Sequence, residues 1–192
     1  LKGRLGVLEG GKTVSQGNLI QAGMMGEGPA NQTMRGLYNV RAEISEFIEE
    51  EELEKEIRLE MTEEGLTIRF TGKVLFDLGQ ADLKTEAREV LERMADFIKG
   101  VDNDIVVEGH TDNLPIHSDN FPSNWELSTA RATTVVRYFI EDQEINPDRL
   151  SAAGYSKYRP IYPNDTSEHR ALNRRVDVVL RREETRQRDM LR

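Results

Sequence analysis

From Ile57 to Arg182 the chain repeatedly changes its hydrophobic period, and this alternation limits the folds open to it. Ile57-Arg58-Leu59-Glu60-Met61 alternates apolar and charged residues, as does Leu66-Thr67-Ile68-Arg69-Phe70. A period of two puts one set of side chains on one face of a strand. Thr62-Glu63-Glu64-Gly65 between the runs reads as a turn, so the pair predicts a β-hairpin. The period then changes. Ala87, Val90, Leu91, Met94 and Ile98 recur three or four apart, which predicts a helix over Lys84–Lys99 closed by Gly100. Ile105-Val106-Val107-Glu108-Gly109 reads as a short strand. A long polar loop over residues 111–122 follows, then Ser123-Asn124-Trp125-Glu126, the pattern of a capping box. Its helix runs to about Glu141 on Leu127, Ala132, Val135, Val136 and Phe139. Leu150–Gly154 is a strand, residues 155–168 a second long loop, and Val176–Leu180 the last strand. Two helices packed on one mixed sheet, an α/β (α+β) sandwich, is the fold this order predicts.

What precedes that region is different. Residues 1–33 carry Gly10-Gly11, Gly17, Gly23, Gly26 and Gly28-Pro29, which break any regular period and predict a flexible linker. Over residues 34–56, Leu37, Val40, Ile44, Phe47 and Ile48 mark an amphipathic helix whose apolar stripe must be buried against something. The expected division is therefore a linker at 1–33, a helix and first hairpin strand at 34–65, a ligand-binding domain at 66–182 and a charged tail at 183–192.

Composition excludes several functions. The chain has 192 residues and a net charge of -9, which repels polyanions, so no nucleic-acid partner is expected. There is no cysteine, hence no disulfide and no thiolate chemistry. No apolar run approaches the ~18–20 residues of a membrane span. The chain opens at Leu1 rather than Met, so a piece of a longer protein is expected, with any membrane anchor upstream. His110, His117 and His169 lack zinc-ligand spacing, and Ser128 sits within a helix rather than on a nucleophile elbow. No cofactor, no metal and no catalytic set are expected.

The polar chemistry concentrates at one strand end. The Ile105–Gly109 strand delivers His110-Thr111-Asp112 to a loop mouth. Arg131 lies two helical turns after Asn124, on the same face. Arg170, Arg174 and Arg175 precede the last strand. A pocket holding one carboxylate and several guanidiniums suits a zwitterion, ammonium on the acid and carboxylate on the base. Spacing alone favours a plainer reading, an Asp–Arg ion pair that stabilises the fold.

The ordered set of segments alters that balance. Phe76-Asp77-Leu78-Gly79-Gln80-Ala81-Asp82-Leu83, Val107-Glu108-Gly109-His110-Thr111-Asp112, Asn124-Trp125-Glu126-Leu127-Ser128-Thr129-Ala130-Arg131-Ala132, Leu150 to Tyr155, Pro160, Asn164-Asp165-Thr166 and Arg170 to Val176 follow one another. In this order they resemble the OmpA-like peptidoglycan-binding family. The resemblance implies a non-enzymatic anchor for the diaminopimelate side of the stem peptide. It puts the family's binding aspartate on Asp112 and its helix arginine on Arg131, with Thr111, Asn124 and Arg174 as further contacts. Arg175 and Leu127 are additional candidates, Arg175 being the neighbour with which Arg174 is confused. Where the family often has Gly before the Arg-Ala of its last segment, this chain has His169.

Within the family, Thr111-Asp112-Asn113-Leu114-Pro115-Ile116 and the preceding linker and helix are similar to the MotB group of flagellar stator subunits. That implies a periplasmic domain of an inner-membrane protein with one membrane helix upstream. It also implies a homodimer, a MotA-like membrane partner and the flagellar P-ring as a further contact. A generic outer-membrane or lipoprotein wall anchor is the alternative. Two further expectations follow: Asp112→Asn and Arg131→Ala should leave the melting temperature nearly unchanged, and the 34–56 helix, if it is a switch, should dock reversibly.

Overall fold

The computed structural model describes residues 29–182. Residues 1–28 of the expected linker 1–33 and the tail 183–192 lie outside them; residues 29–33, expected to be linker, are helical, so the first helix starts before the expected residue 34. Helix α1 (Pro29–Glu50) is followed by strands β1 (Ile57–Met61) and β2 (Gly65–Thr71), a one-turn helix α2 (Gly72–Leu75) and helix α3 (Thr85–Lys99). Strand β3 (Ile105–His110), helix α4 (Asn124–Glu141), strand β4 (Leu150–Gly154), the short helix α5 (Ser167–Asn173) and strand β5 (Arg175–Arg181) complete the order. Among the described residues no helix is long and apolar enough to cross a membrane.

The five strands form one mixed sheet in the order β1-β2-β5-β3-β4. β1 and β2 are the expected hairpin, Ile57 opposite Phe70 and Met61 opposite Leu66. β5 inserts antiparallel between β2 and β3, and β3 and β4 run parallel. A parallel pair needs a crossover, and α4 supplies it. One face of the sheet packs on the helices. Ile68, Phe70, Val107, Val178 and Leu180 meet Leu91, Met94, Ile98, Val135 and Phe139 in one core, with none of them more than 1% exposed.

The first helix differs from its predicted span. It ends at Glu50, and Glu52 takes a left-handed φ of 56°. The acidic run Glu49–Glu52 places negative charge at the negative end of the helix dipole, with no basic residue in the last turn to offset it. Its stripe is fully employed: Leu37 and Ile44 are 0% exposed, and Val40, Phe47 and Ile48 are buried with them in the domain core. Ile44→Ala should therefore destabilise the whole domain by about 2–5 kcal/mol, as deletion of a core Ile does. A urea midpoint unchanged from wild type would show that α1 lies on the domain without holding it.

The expectation also missed α5. Its signal was Thr166, whose hydroxyl accepts the His169 N–H as an N-cap. At α4 the capping box is only half formed. Ser123 Oγ accepts the Trp125 N–H in place of the Glu126 N–H, while the Glu126 carboxylate accepts the Ser123 hydroxyl proton.

Candidate functional site

The β3 end, the start of α4, the loop after α2 and the chain entering β5 converge on one cavity of about 300 Å³. Thr111, Asp112, Asn124, Leu127, Arg131 and Arg174 all line it. Arg175, one residue on, does not. It is the first residue of β5 and turns away from its neighbour, as successive strand residues do. On that other face its guanidinium donates to Asp177 at 3.0 Å and to the Arg159 carbonyl at 3.1 Å.

Asp112 is 5% exposed. One carboxylate oxygen accepts the Leu114 N–H at 2.9 Å and the other takes Arg174 Nη1 at 2.5 Å. The carboxylate is thus held by its own loop and by a cation whose side chain remains 31% exposed. Asn124 fixes the same loop from the helix side, donating to the Leu114 carbonyl at 2.9 Å. The Thr111 hydroxyl is turned to the Asp112 carbonyl at 2.9 Å.

Arg131 is only 3% exposed, and among the described residues no carboxylate lies within ion-pair distance of it. Nε donates to the Gln80 carbonyl at 2.8 Å and Nη2 to the Asp77 carbonyl at 3.2 Å, with the guanidinium 5.1 Å from the Phe76 ring centre. Burial, and then the nearby Arg174 charge, push its pKa down to about 10 against the pull of Asp112. It is still a cation at neutral pH, and its field is incompletely compensated. The Asp112–Arg131 pair suggested by spacing is therefore not formed; Asp112 pairs with Arg174 instead. Arg131 also ties the 77–80 segment to α4. Against the expectation of a nearly unchanged melting temperature, Arg131→Ala should lower stability by about 2–4 kcal/mol, since it removes the donor to the Gln80 carbonyl, leaves the Asp77 carbonyl with the Gln80 N–H alone and opens a void.

Leu78, Gly79 and Ile116 also line the cavity and were not anticipated. They sit on loops, where no period marks an inward side chain. Leu78, an apolar residue left 83% exposed at the mouth, is recognisable only from the structure.

Behind the cavity, on the far face of the sheet, lies a charged row. Asp177 accepts from Arg69 and Arg175, each at 3.0 Å, and His110 stacks on Tyr155 with ring centres 5.4 Å apart. His110 is 1% exposed, and among the described residues neither ring nitrogen has a partner within hydrogen-bond distance; Glu108 and Asp177 stand off at 3.6 and 3.8 Å. Burial, aided by Arg175, outweighs these carboxylates and lowers its pKa below the usual 6.5. An unfolded histidine takes up its proton first as pH falls, so the folded state loses stability below about pH 6.5. Between pH 7.5 and 5.5 the wild type should lose more stability than His110→Asn in urea titrations. Equal losses would mean that His110 titrates normally.

A family model described as the OmpA family matches residues 75–174. Motility protein B of Bacillus subtilis is 35% identical over 145 residues, 75% of this chain and 56% of that protein. The chain spans about half the length of the curated relatives it matches. Among solved structures, a MotB-like protein from Desulfovibrio vulgaris superposes with a TM-score of 0.73 at 31% identity, covering 81% of this chain and 96% of that one. The cell wall anchor of the T6SS from Pseudomonas aeruginosa gives a TM-score of 0.67 at 30% identity, over 72% of this chain and 96% of that one. The matched residues run from the loop before α3 to Arg174, and so enclose every side chain named above as lining the cavity: the chain belongs to the OmpA family.

Proposed function

We propose that this domain binds peptidoglycan without catalysis, gripping the diaminopimelate residue of the stem peptide in the cavity. One observation carries the reading: a held carboxylate, Asp112, and a buried guanidinium, Arg131, with no carboxylate partner among the described residues, line the same cavity. The ligand ammonium meets Asp112, and its carboxylate meets Arg131 with help from Arg174. Thr111 and Asn124 shape the Asp112 loop, and Leu127 supplies an apolar wall. The charge logic accounts for the perturbed state of Arg131, because a bound carboxylate supplies the counter-charge that offsets its burial and then the repulsion from Arg174, the two causes of its lowered pKa.

The larger role supported by the MotB relatives is that of a flagellar stator anchor. The domain works in the periplasm as part of a homodimer, joined through an inner-membrane helix to a MotA-like subunit and placed near the P-ring. Dimerisation suits an anchor, since two weak grips on one polymer raise avidity by ~10²–10⁴. The likeness to the T6SS wall anchor favours a second reading, wall attachment for a different envelope machine. The chain should co-sediment with purified sacculi, and free meso-diaminopimelate should release it. Failure to sediment overturns the peptidoglycan reading. Deleting the gene should stop swimming while leaving flagella assembled; normal swimming would favour the second reading.

A further inference from the structure

Away from the cavity the surface carries an aromatic platform. Trp125 is 47% exposed and Tyr158 is 64% exposed, yet their rings stack on each other with centres 5.5 Å apart and planes 28° apart. Trp125 stands in the first turn of α4, and Tyr158 in the loop that leaves β4. That loop is fixed at both sides. The Ser156 N–H donates to Ser128 Oγ on α4, and the Ser156 carbonyl accepts the Thr111 N–H. One buried residue thus ties the platform to Thr111, which lines the cavity. On the helix side the link is a single peptide bond, since Asn124 lines the cavity and Trp125 follows it. From Trp125 an open groove runs along the outer face of α4 past Thr129, Ala130, Thr133 and Arg137.

We propose that the platform and groove form a second subsite, which takes the amino-sugar rings of the glycan strand. The proposal rests on the peptidoglycan reading and extends it to the other half of the polymer. The two exposed rings stack on each other into a broad aromatic surface, to which the C–H face of a pyranose is a complement, and the Lys157 ammonium, 5.8 Å from the Tyr158 ring centre, adds a donor for ring hydroxyls. Beyond the rings the groove offers hydroxyl and charged side chains, which suit ring hydroxyls and acetamido groups. A protein partner would require an apolar anchor buried in a water-excluding pocket. Here the groove is open, and Ala130 is its one small apolar residue beyond the rings. A peptide grip and a sugar grip on one polymer reinforce each other through effective concentration, so neither has to be strong alone.

The chain holds a single tryptophan, so its fluorescence reports on this surface alone. The probe is the tetramer of N-acetylglucosamine, which carries the sugar backbone and no peptide. It should change the emission of Trp125 saturably, and Tyr158→Ala should weaken that binding by about 5- to 10-fold, the scale of one aromatic stack. In parallel, a diaminopimelate tripeptide is titrated by calorimetry; it reads the cavity and should bind wild type and Tyr158→Ala alike. A tetramer that leaves the emission unchanged overturns the subsite, as does tetramer binding indifferent to Tyr158→Ala. Weaker sacculus binding by Tyr158→Ala without any sugar response also overturns it, since the platform would then meet another partner. Loss of tripeptide binding by the wild type marks failure of the cavity reading and leaves the tetramer result to be read by itself.

Discussion

Asp112→Asn is expected to lower the affinity for purified sacculi by about 100-fold or more while shifting the melting temperature by only a few degrees. The two effects separate because the carboxylate has two separate partners. Its Leu114 contact needs only an acceptor, which an amide oxygen supplies, so the loop keeps its turn. Its Arg174 contact needs charge, but Arg174 is partly exposed and can turn toward solvent when the anion is gone. The ligand ammonium has no such escape, because it would be desolvated in the cavity without a counter-charge. Co-sedimentation over a range of sacculus concentrations, beside a thermal melt, reads both quantities. Wild-type affinity in Asp112→Asn would remove Asp112 from the site and return it to the role of a structural ion pair. Arg131→Ala is a poorer probe, since its melt and its binding should fall together.

Much of this site was legible because helical geometry is rigid. Asn124 and Arg131 fall on one side of α4 by spacing, and both line the cavity; their reading as site residues, like that of Leu127, Thr111 and Arg174, rests on the family resemblance. The pairing of charges was not legible. Asp112 and Arg174 are 62 positions apart, and which of two adjacent arginines faces Asp112 depends on where β5 starts. Nor does a sequence show that Arg131 would be held by the Gln80 and Asp77 carbonyls, because main-chain acceptors carry no residue-type signature. For the sheet, the two-residue period located β1 and β2 and an apolar run located β5, but the insertion of β5 between β2 and β3 is a long-range choice. Asp177 illustrates the point: within an apolar run it reads as an interruption, and its reason is the pair of arginines beside it on the back face.

The α1 stripe bears on how such an anchor could be regulated. Five buried apolar side chains at roughly 1.5–3 kcal/mol each give an upper bound near ~7–15 kcal/mol for leaving the domain. A reversible switch works across a few kcal/mol. We propose that undocking of the whole helix is coupled to a second surface that receives Leu37, Ile44 and Phe47, since exposure of the full stripe to water costs more than such a switch spans as this bound is approached.

The second large effect is expected from one methyl group at the back of the cavity. Gly109 and Gly154 are register partners on β3 and β4, and α4 crosses directly above them. A Cβ on Gly109 would overlap the Ser128 carbonyl oxygen and come within 2.8 Å of its carbon; one on Gly154 would lie 2.6 Å from the Thr129 nitrogen. The obstacles are backbone, so no rotamer change relieves them, and the helix itself must rise. Lifting it opens the contact between the sheet and Val135 and Phe139, both fully buried. Gly109→Ala should cost about 3 kcal/mol or more, at the upper end of overpacking, and lower the melting midpoint by roughly 6–12 °C. The same displacement moves Asn124 and Arg131 away from the Asp112 loop, whereas the variant changes no side chain in the cavity. Sacculus affinity measured well below the new midpoint should therefore fall as well, in contrast to Ile44→Ala, whose damage lies in the core under α1. A Gly109→Ala protein with wild-type melting and wild-type binding would show that α4 can move off the sheet freely, and the close strand–helix crossing could then not be what fixes the cavity wall.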